Sequence, residues 1–316
     1  RRHMLLAYAT MCCSFTQRAL AMPVSICCPH CGMRLSGPLV LATGPQTFSF
    51  MINFAKLFKR NGSSKFRPKV PEGQRFYVIG DIHGRCDLFD ELIVAIEEDD
   101  RRAGPAQTTV VLLGDLVDRG PESARVIETA MQWGERRSVR YIAGNHEEMF
   151  LESFEDKEML RHFLKHGGRE TVLSYGIKRK RYNELTMKEL QVELNELVPK
   201  KHRKFLERME NMVVAGDYVF VHAGINPKRA IDDQKQSDLR WIRERFLKHR
   251  EPLTHVVVHG HTIFEDVEHT PYRIGIDTGA FRTGILTALV LEGDQRRIIR
   301  ASETDGTITT QHAEFC

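Results

Sequence analysis

An α/β fold is predicted for this 316-residue chain by three observations. Short apolar runs repeatedly end in glycine with a polar donor close behind. Residues 76–79 enter Gly-Asp-Ile-His-Gly at 80–84, residues 110–113 enter Gly-Asp-Leu-Val-Asp-Arg-Gly at 114–120, and residues 139–142 lead into Gly-Asn-His-Glu at 144–147. Helical periodicity follows each of these runs, and from residue 218 onward strand patterns dominate. Mostly apolar runs of this length read as strands buried on both faces. In open α/β sheets, ligands sit in the crevice beyond the carboxyl ends of the strands.

The first fifty residues differ from the rest. They begin at Arg1, show no helical or strand periodicity, and hold five of the seven cysteines. Arg1-Arg2, the apolar stretch 4–15 and Ala19-Leu20-Ala21 have the outline of a secretory signal, which Gln17 and Arg18 interrupt. Cys28-Pro29-His30-Cys31-Gly32 has the spacing of half a zinc ribbon, without a second pair at a compatible distance. The expectation is that 1–50 is an upstream or disordered extension and that Met51 is the natural start. Residues 51–74 read as a basic tether and linker, with Asn61-Gly62-Ser63-Ser64, Pro68 and Pro71 as breakers.

The folded body is expected over 75–302, with 303–316 as a tail. Within it, 87–102 carries Leu88, Leu92, Ile93 and Ile96 at helical spacing. Pro121 introduces a second helix through Trp133, since its missing N–H costs nothing in a first turn. A third helix is expected over 147–165. Residues 182–211 repeat Leu, Glu and Lys at helical spacing, so about 148–212 is read as a helical insertion over the strand ends. Further strands are expected at 218–222, 255–258, 273–277, 286–291 and 296–301.

Hydrophobic content of 41%, charged content of 28% and a mean hydropathy of −0.35 describe an ordinary globular chain. A net charge of +4, evenly spread, argues against a nucleic-acid partner, and the basic runs 178–181 and 200–204 read as solvated helix faces. No apolar stretch in the body is long enough to span a bilayer, so no stable membrane insertion is expected. The body is nearly free of cysteine, which fits a reducing cytoplasm.

Donor residues decide the functional reading. Asp81 and His83 are two apart, so in an extended segment they share a face. Asp115 ends the next strand, and its two oxygens allow it to bridge two ions. Asn145, His222 and His261 add a neutral oxygen and two imidazoles. One site would then be Asp81, His83 and Asp115, the other Asp115, Asn145, His222 and His261. Mixed oxygen and imidazole ligation suits Mn, Fe or Zn better than Mg or Ca. Singly, each residue has an ordinary explanation: an Asp after a strand caps a helix, and a lone His packs in a core. Five such strand ends with complementary donors are hard to explain by packing.

Together these segments resemble the phosphoprotein phosphatase branch of the calcineurin-like metallophosphoesterases, most closely the small bacterial and lambda-phage-type serine/threonine protein phosphatases. Residues 80–84, 114–120, 144–147, His222-Ala223-Gly224 and Gly260-His261-Thr262 match the family's five blocks in order. Residues 239–245 and 276–280 match accessory segments of the phage-type members. Ile263 stands where many metallophosphoesterases carry a further metal-binding His, and the phosphatase branch lacks it too. His259 falls outside the ligand positions and is expected to pack.

The resemblance implies a β-sandwich of two mixed sheets flanked by helices, and two divalent ions, most often Mn. It implies in-line attack by a hydroxide bridging the two ions, with His146 as general acid oriented by Asp118, and Arg119 and Arg243 binding the phosphate. Arg240 and Arg245 compete with Arg243 for that role. Residues 166–171 are expected at the rim or as a turn. The expected activity is a serine/threonine protein phosphatase acting on phosphoproteins or phosphopeptides. The alternative is a symmetrical diadenosine tetraphosphate hydrolase, whose motifs overlap. The oligomeric state has no signature in the sequence.

Overall fold

The computed structural model describes residues 23–27, 34–38 and 67–315. The chain divides into two units, Arg1–Ser64 and Lys65–Cys316. In the first, β1 (Pro23–Cys27) pairs antiparallel with β2 (Arg34–Pro38), so a strand pair exists where no periodicity was expected. The Cys28–Cys31 group and the basic segment 51–60 lie outside the described residues.

The second unit begins with β3 (Gln74–Ile79), α1 (Cys86–Ala103), β4 (Gln107–Leu112), α2 (Ser123–Gly134) and β5 (Val139–Tyr141). Helices follow: α3 (Asn145–Glu152), α4 (Lys157–Phe163), α5 (Arg169–Ser174), α6 (Arg179–Glu184), α7 (Met187–Leu197) and α8 (Lys200–Glu207). Next come β6 (Met212–Ala215), β7 (Tyr218–Val221), α9 (Gln236–Trp241), α10 (Glu244–Leu247), β8 (Val256–His259), β9 (Glu268–Thr270) and β10 (Arg273–Gly275). The chain ends with α11 (Ala280–Thr283), β11 (Ile285–Glu292), β12 (Gln295–Thr304) and β13 (Thr307–Glu314).

Two mixed sheets result, as the resemblance implied. One has strand order β13-β12-β11-β3-β4-β5 and the other β6-β7-β8-β10-β9. Alternation along β3 explains why both its faces are buried. Phe76 and Val78 point between the sheets, where they meet Phe220, Val258 and Ile274. Tyr77 and Ile79 point the other way, into a core with Leu88, Phe89, Leu92 and Ile96 of α1 and Trp133 of α2. Each such side chain contributes about 1.5–3 kcal/mol on burial. The outer face of the second sheet is covered by Leu239, Ile242 and Phe246 of the α9–α10 segment.

Three expectations need correction. The third helix is two, α3 and α4, because the Asp156 carboxylate caps a new start by accepting the Glu158 and Met159 amides. The stretch read as a tail carries β13, which pairs with β12 over eight residue pairs. β5 is short and only partly buried, because it forms the sheet edge. Among the described residues, no helix is long and apolar enough to cross a membrane.

Candidate metal centre

Parallel pairing brings the donor loops to one end of the sandwich. β3, β4 and β5 run parallel, so 80–84, 114–120 and 144–147 emerge together, while parallel β7 and β8 deliver His222 and His261. Main-chain bonds join the loops. His83 N–H donates to the Asp115 carbonyl at 2.8 Å, Gly84 N–H to Leu116 at 2.9 Å, and Gly260 N–H to His222 at 2.8 Å. Glycine permits this approach: a Cβ on Gly120 would lie 2.1 Å from the His83 carbonyl oxygen. Gly120→Ala should therefore cost about 1–3 kcal/mol by overpacking, read from denaturant unfolding of the metal-free protein. An unchanged midpoint would mean that the loops have slack.

Asp115 stands between two donor groups. His83, Asp115 and His146 form one, and Asp115, His222 and His261 the other, with ligand atoms within 4.8 Å of one another in each. The Asp115 oxygens face different ways. Oδ2 lies 3.5 Å from His83 Nε2, and Oδ1 lies 3.4 Å from His222 Nε2. A bridging carboxylate needs this disposition. Asn145 Oδ1 is 3.0 Å from His222 Nε2, and His261 Nδ1 is 3.2 Å from the same atom. Asp81 accepts the His261 amide at 2.9 Å through Oδ2, while its Oδ1 is buried without a partner. All six expected donors are thus buried at one place. By distance, however, His146 rather than Asp81 completes the first group.

These residues fit divalent cations. His83 Nδ1–H donates to the Val117 carbonyl at 2.8 Å and His222 Nδ1–H to Leu113 at 2.9 Å, so both Nε2 lone pairs face inward. A cation already occupies the corresponding position beside His83: Arg119 Nη1 donates to its Nε2 at 2.7 Å, and Nη2 donates to His146 Nε2 at 3.0 Å. Burial holds the Asp81 and Asp118 carboxyls well above the ordinary carboxylate range. It lowers His83 well below the usual imidazole value, brings His146 and His222 to about 4, and depresses His261 further. Neutral imidazoles beside anions costly to bury are the state that divalent metals relieve.

Backbone strain collects here as well. His83, Asp115, Asp118, Arg119 and His261 all have positive φ, with Asp305 the remaining non-glycine case among the described residues. Each such residue costs on the order of 1–3 kcal/mol and persists only where the surroundings over-determine it. Glu147 supplies much of that hold. Its Oε2 accepts the Asp115 and Gly144 amides and its Oε1 the Leu116 amide, each at 2.8 Å. Sequence reasoning gave Glu147 no role, although Gly144 and Glu147 have the spacing of a helix capping box.

His146 and Asp118 are paired. His146 Nδ1 lies 2.5 Å from Asp118 Oδ2, which leaves Nε2 facing the centre. Asp118 is in turn fixed from the insertion. Thr171 Oγ1 donates to Asp118 Oδ1 at 2.6 Å and accepts from the Asp118 amide at 2.8 Å, and Gly167 accepts the Arg119 amide at 3.1 Å. Residues 166–171 therefore do more than turn the chain. The sequence placed Thr171 only at the rim or in a turn, because nothing local links it to a residue 53 positions away.

The three competing arginines separate. Arg240 is engaged by Glu148 at 2.7 Å and Asn211 at 2.9 Å, and Arg245 lies 4.0 Å from Asp238. Arg243 is exposed; its charge lowers His261, and it lowers His222 less than that of Arg240 does. His259 packs against Phe246 and Phe264, with ring centroids 5.2 and 6.2 Å away.

The profile of the family described as "Calcineurin-like phosphoesterase" matches residues 74–276. The chain is 27% identical over 235 residues to "Bis(5'-nucleosyl)-tetraphosphatase PrpE [asymmetrical]" of Anoxybacillus flavithermus, covering 67% of this chain and 88% of that protein. It is similar in structure to a chain described as a putative diadenosine tetraphosphatase, with 19% identity and a TM-score of 0.49 over 78% of this chain and 99% of that one. It is also similar to the cold-active protein-tyrosine phosphatase of a psychrophilic Shewanella, with 18% identity and a TM-score of 0.47 over 77% and 83%.

Proposed function

Because the chain belongs to the calcineurin-like phosphoesterases, and is thus a metal-dependent phosphoesterase with a two-ion centre, we propose that it is a serine/threonine protein phosphatase of that family's phosphoprotein phosphatase branch. The observation that carries the reading is the pairing of His146 with Asp118, with Arg119 bonded to His146 inside the donor cluster and Arg243 exposed on the α9–α10 segment. A phosphorylated side chain brings a charge of roughly −1.5 to −2. Two guanidiniums match it. A tetraphosphate chain brings more negative charge, and Arg240 is already neutralised by Glu148.

The residues that would hold the ions are Asp81, His83 and Asp115 on one side, with Asp115, Asn145, His222 and His261 on the other. Mn is the favoured metal, with Fe or Zn also suited to these donors. When bound, such ions polarise phosphoryl oxygens and lower the pKa of water from 15.7 towards about 7. The protein's own groups do the rest. Arg119 Nη1 donates to His83 Nε2, and it would be available to phosphate oxygens were that nitrogen to serve as a ligand. Arg243, exposed on the α9–α10 segment, would bind the same phosphate. His146 presents Nε2 to the leaving alkoxide and gives it a proton, with Asp118 holding Nδ1–H and favouring the imidazolium. A phosphate dianion beside Nε2 raises the imidazole's proton affinity, against the burial that lowers it.

A second reading, hydrolysis of dinucleoside tetraphosphates, is favoured by one feature. Trp241 is 37% exposed, with its indole N–H held by Glu148 at 2.9 Å, and offers a stacking face for a base two residues from Arg243. The relatives named for that activity are of the asymmetrical type, whereas the sequence motifs suggested the symmetrical one. Manganese-loaded protein should release phosphate from phosphoserine and phosphothreonine peptides with a higher kcat/KM than it cleaves diadenosine tetraphosphate. Cleavage of the dinucleotide alone would reverse the assignment, and its products would tell symmetrical from asymmetrical attack.

A further inference from the structure

Asp277 has no place in the donor set above, yet it lies against it. The segment after β10 runs beside the end of β3: a Cβ on Gly80 would stand 2.6 Å from the Ile276 carbonyl oxygen and 3.6 Å from Asp277 Cα. The two residues that follow these glycine and isoleucine positions, Asp81 and Asp277, therefore lie beside each other, and the charge of Asp277 raises the Asp81 carboxyl. Asp277 is 1% exposed. Its Oδ1 accepts the Gly279 amide at 2.9 Å and so has a local duty. Its Oδ2 is buried with no partner, as is Asp81 Oδ1.

Two neighbouring buried carboxylates, each with an unpartnered oxygen, are stable as anions only with a cation between or beside them. Local turn-making accounts for Oδ1 and leaves Oδ2 unexplained.

We propose that Asp277 is a carboxylate donor to the first cation site, making that site oxygen-rich and selective for hard divalent ions. The proposal rests on the two-ion reading above. The first site would then combine Asp81, Asp115 and Asp277 with one imidazole, His83. The second has Asp115 and Asn145 with two imidazoles, His222 and His261. Carboxylate-rich sites suit Mn and Mg, while imidazole-rich sites suit Zn and Fe. The two positions therefore differ in chemistry, and a mixed-metal centre follows from one extra carboxylate.

Asp277→Asn is the discriminating variant, because the Asn oxygen still accepts the Gly279 amide while the charge is lost. Calorimetric titration of metal-free protein with Mn should show two ions in the wild type. In Asp277→Asn it should show one ion at wild-type affinity and the other weakened about 10–100-fold. Asp277→Glu, which restores the charge, should again hold two. Competition on the unmutated protein gives an independent readout: Zn should displace the Mn of the imidazole-rich site first, and the Mn of the first site only at about 10–100-fold higher Zn. Two Mn at unchanged affinity in Asp277→Asn, or displacement of both Mn over the same range of Zn concentration, would overturn the assignment. A wild-type protein that takes up fewer than two ions would instead overturn the two-ion reading beneath it.

Discussion

Turnover of a phosphoserine peptide by His146→Asn should fall by about 10²–10⁴-fold, with metal content unchanged. The reasoning starts from which atoms of His146 do what. Its backbone N–H donates to Asp115 Oδ1 at 3.1 Å, a bond that any side chain leaves in place. Only the imidazole is lost, and with it Nε2, the atom that would carry the proton to the leaving group while Asp118 holds Nδ1. The loss should depend on the leaving group. An alkoxide needs the proton, whereas a nitrophenolate leaves without one, so an aryl phosphate should be hydrolysed at a rate much nearer wild type. A near-normal rate on the peptide would remove His146 from the acid's role. Loss of one ion would assign it to the metal instead, an outcome with a structural basis because His146 Nε2 lies 3.9 Å from Asp115 Oδ2.

Asp115→Asn should have effects of opposite sign on activity and on the metal-free fold. Asp115 faces both donor groups, so losing its charge weakens both ions. Stoichiometry should fall to one or fewer, and activity by on the order of 10³. The metal-free protein, in contrast, should melt at an equal or higher temperature, because a buried anion has been exchanged for a neutral amide of the same shape. Burial raises the Asp115 carboxyl above its ordinary value. Its contribution to stability is therefore full below the unfolded carboxyl's pKa and is lost as pH rises through the folded one. The stabilising effect of Asn should accordingly be larger at neutral pH than in acid. Adding Mn should reverse the order, since binding stabilises by about 2.7 kcal/mol at a hundredfold excess over Kd. Thermal melts at two pH values, with and without Mn, test all three statements. Equal metal-free melting points at both pH values are compatible with the argument only if Asp115 is already neutral there.

Legibility of the chain varied with the range of the physics involved. The strand ends could be read because everything needed is within five residues: an apolar run, a glycine that tolerates close backbone approach, and a donor. The α1 helix was legible for the same reason, from Leu88, Leu92 and Ile96. Residues acting across the chain were not. Thr171 reaches Asp118, and Asp277 reaches Asp81, only because the sandwich folds them together. The break between α3 and α4 was missed because Leu and Phe continue at helical spacing through Asp156, whose capping role outweighs the pattern. β13 escaped notice because its Thr-rich, mostly exposed sequence has no apolar alternation, and its pairing with β12 is what makes it a strand.

The grip of Thr171 and Gly167 on Asp118 and Arg119 sets a rule for anyone who redesigns this chain. The helices from α4 to α8 look like a removable cassette, since they form one excursion between β5 and β6 and add no strand to either sheet. Yet two anchors of the reaction chamber are written inside that cassette. Trimming or grafting it is tolerable only with residues 167–171 retained in register, so the length of the excursion is negotiable and its point of return is not.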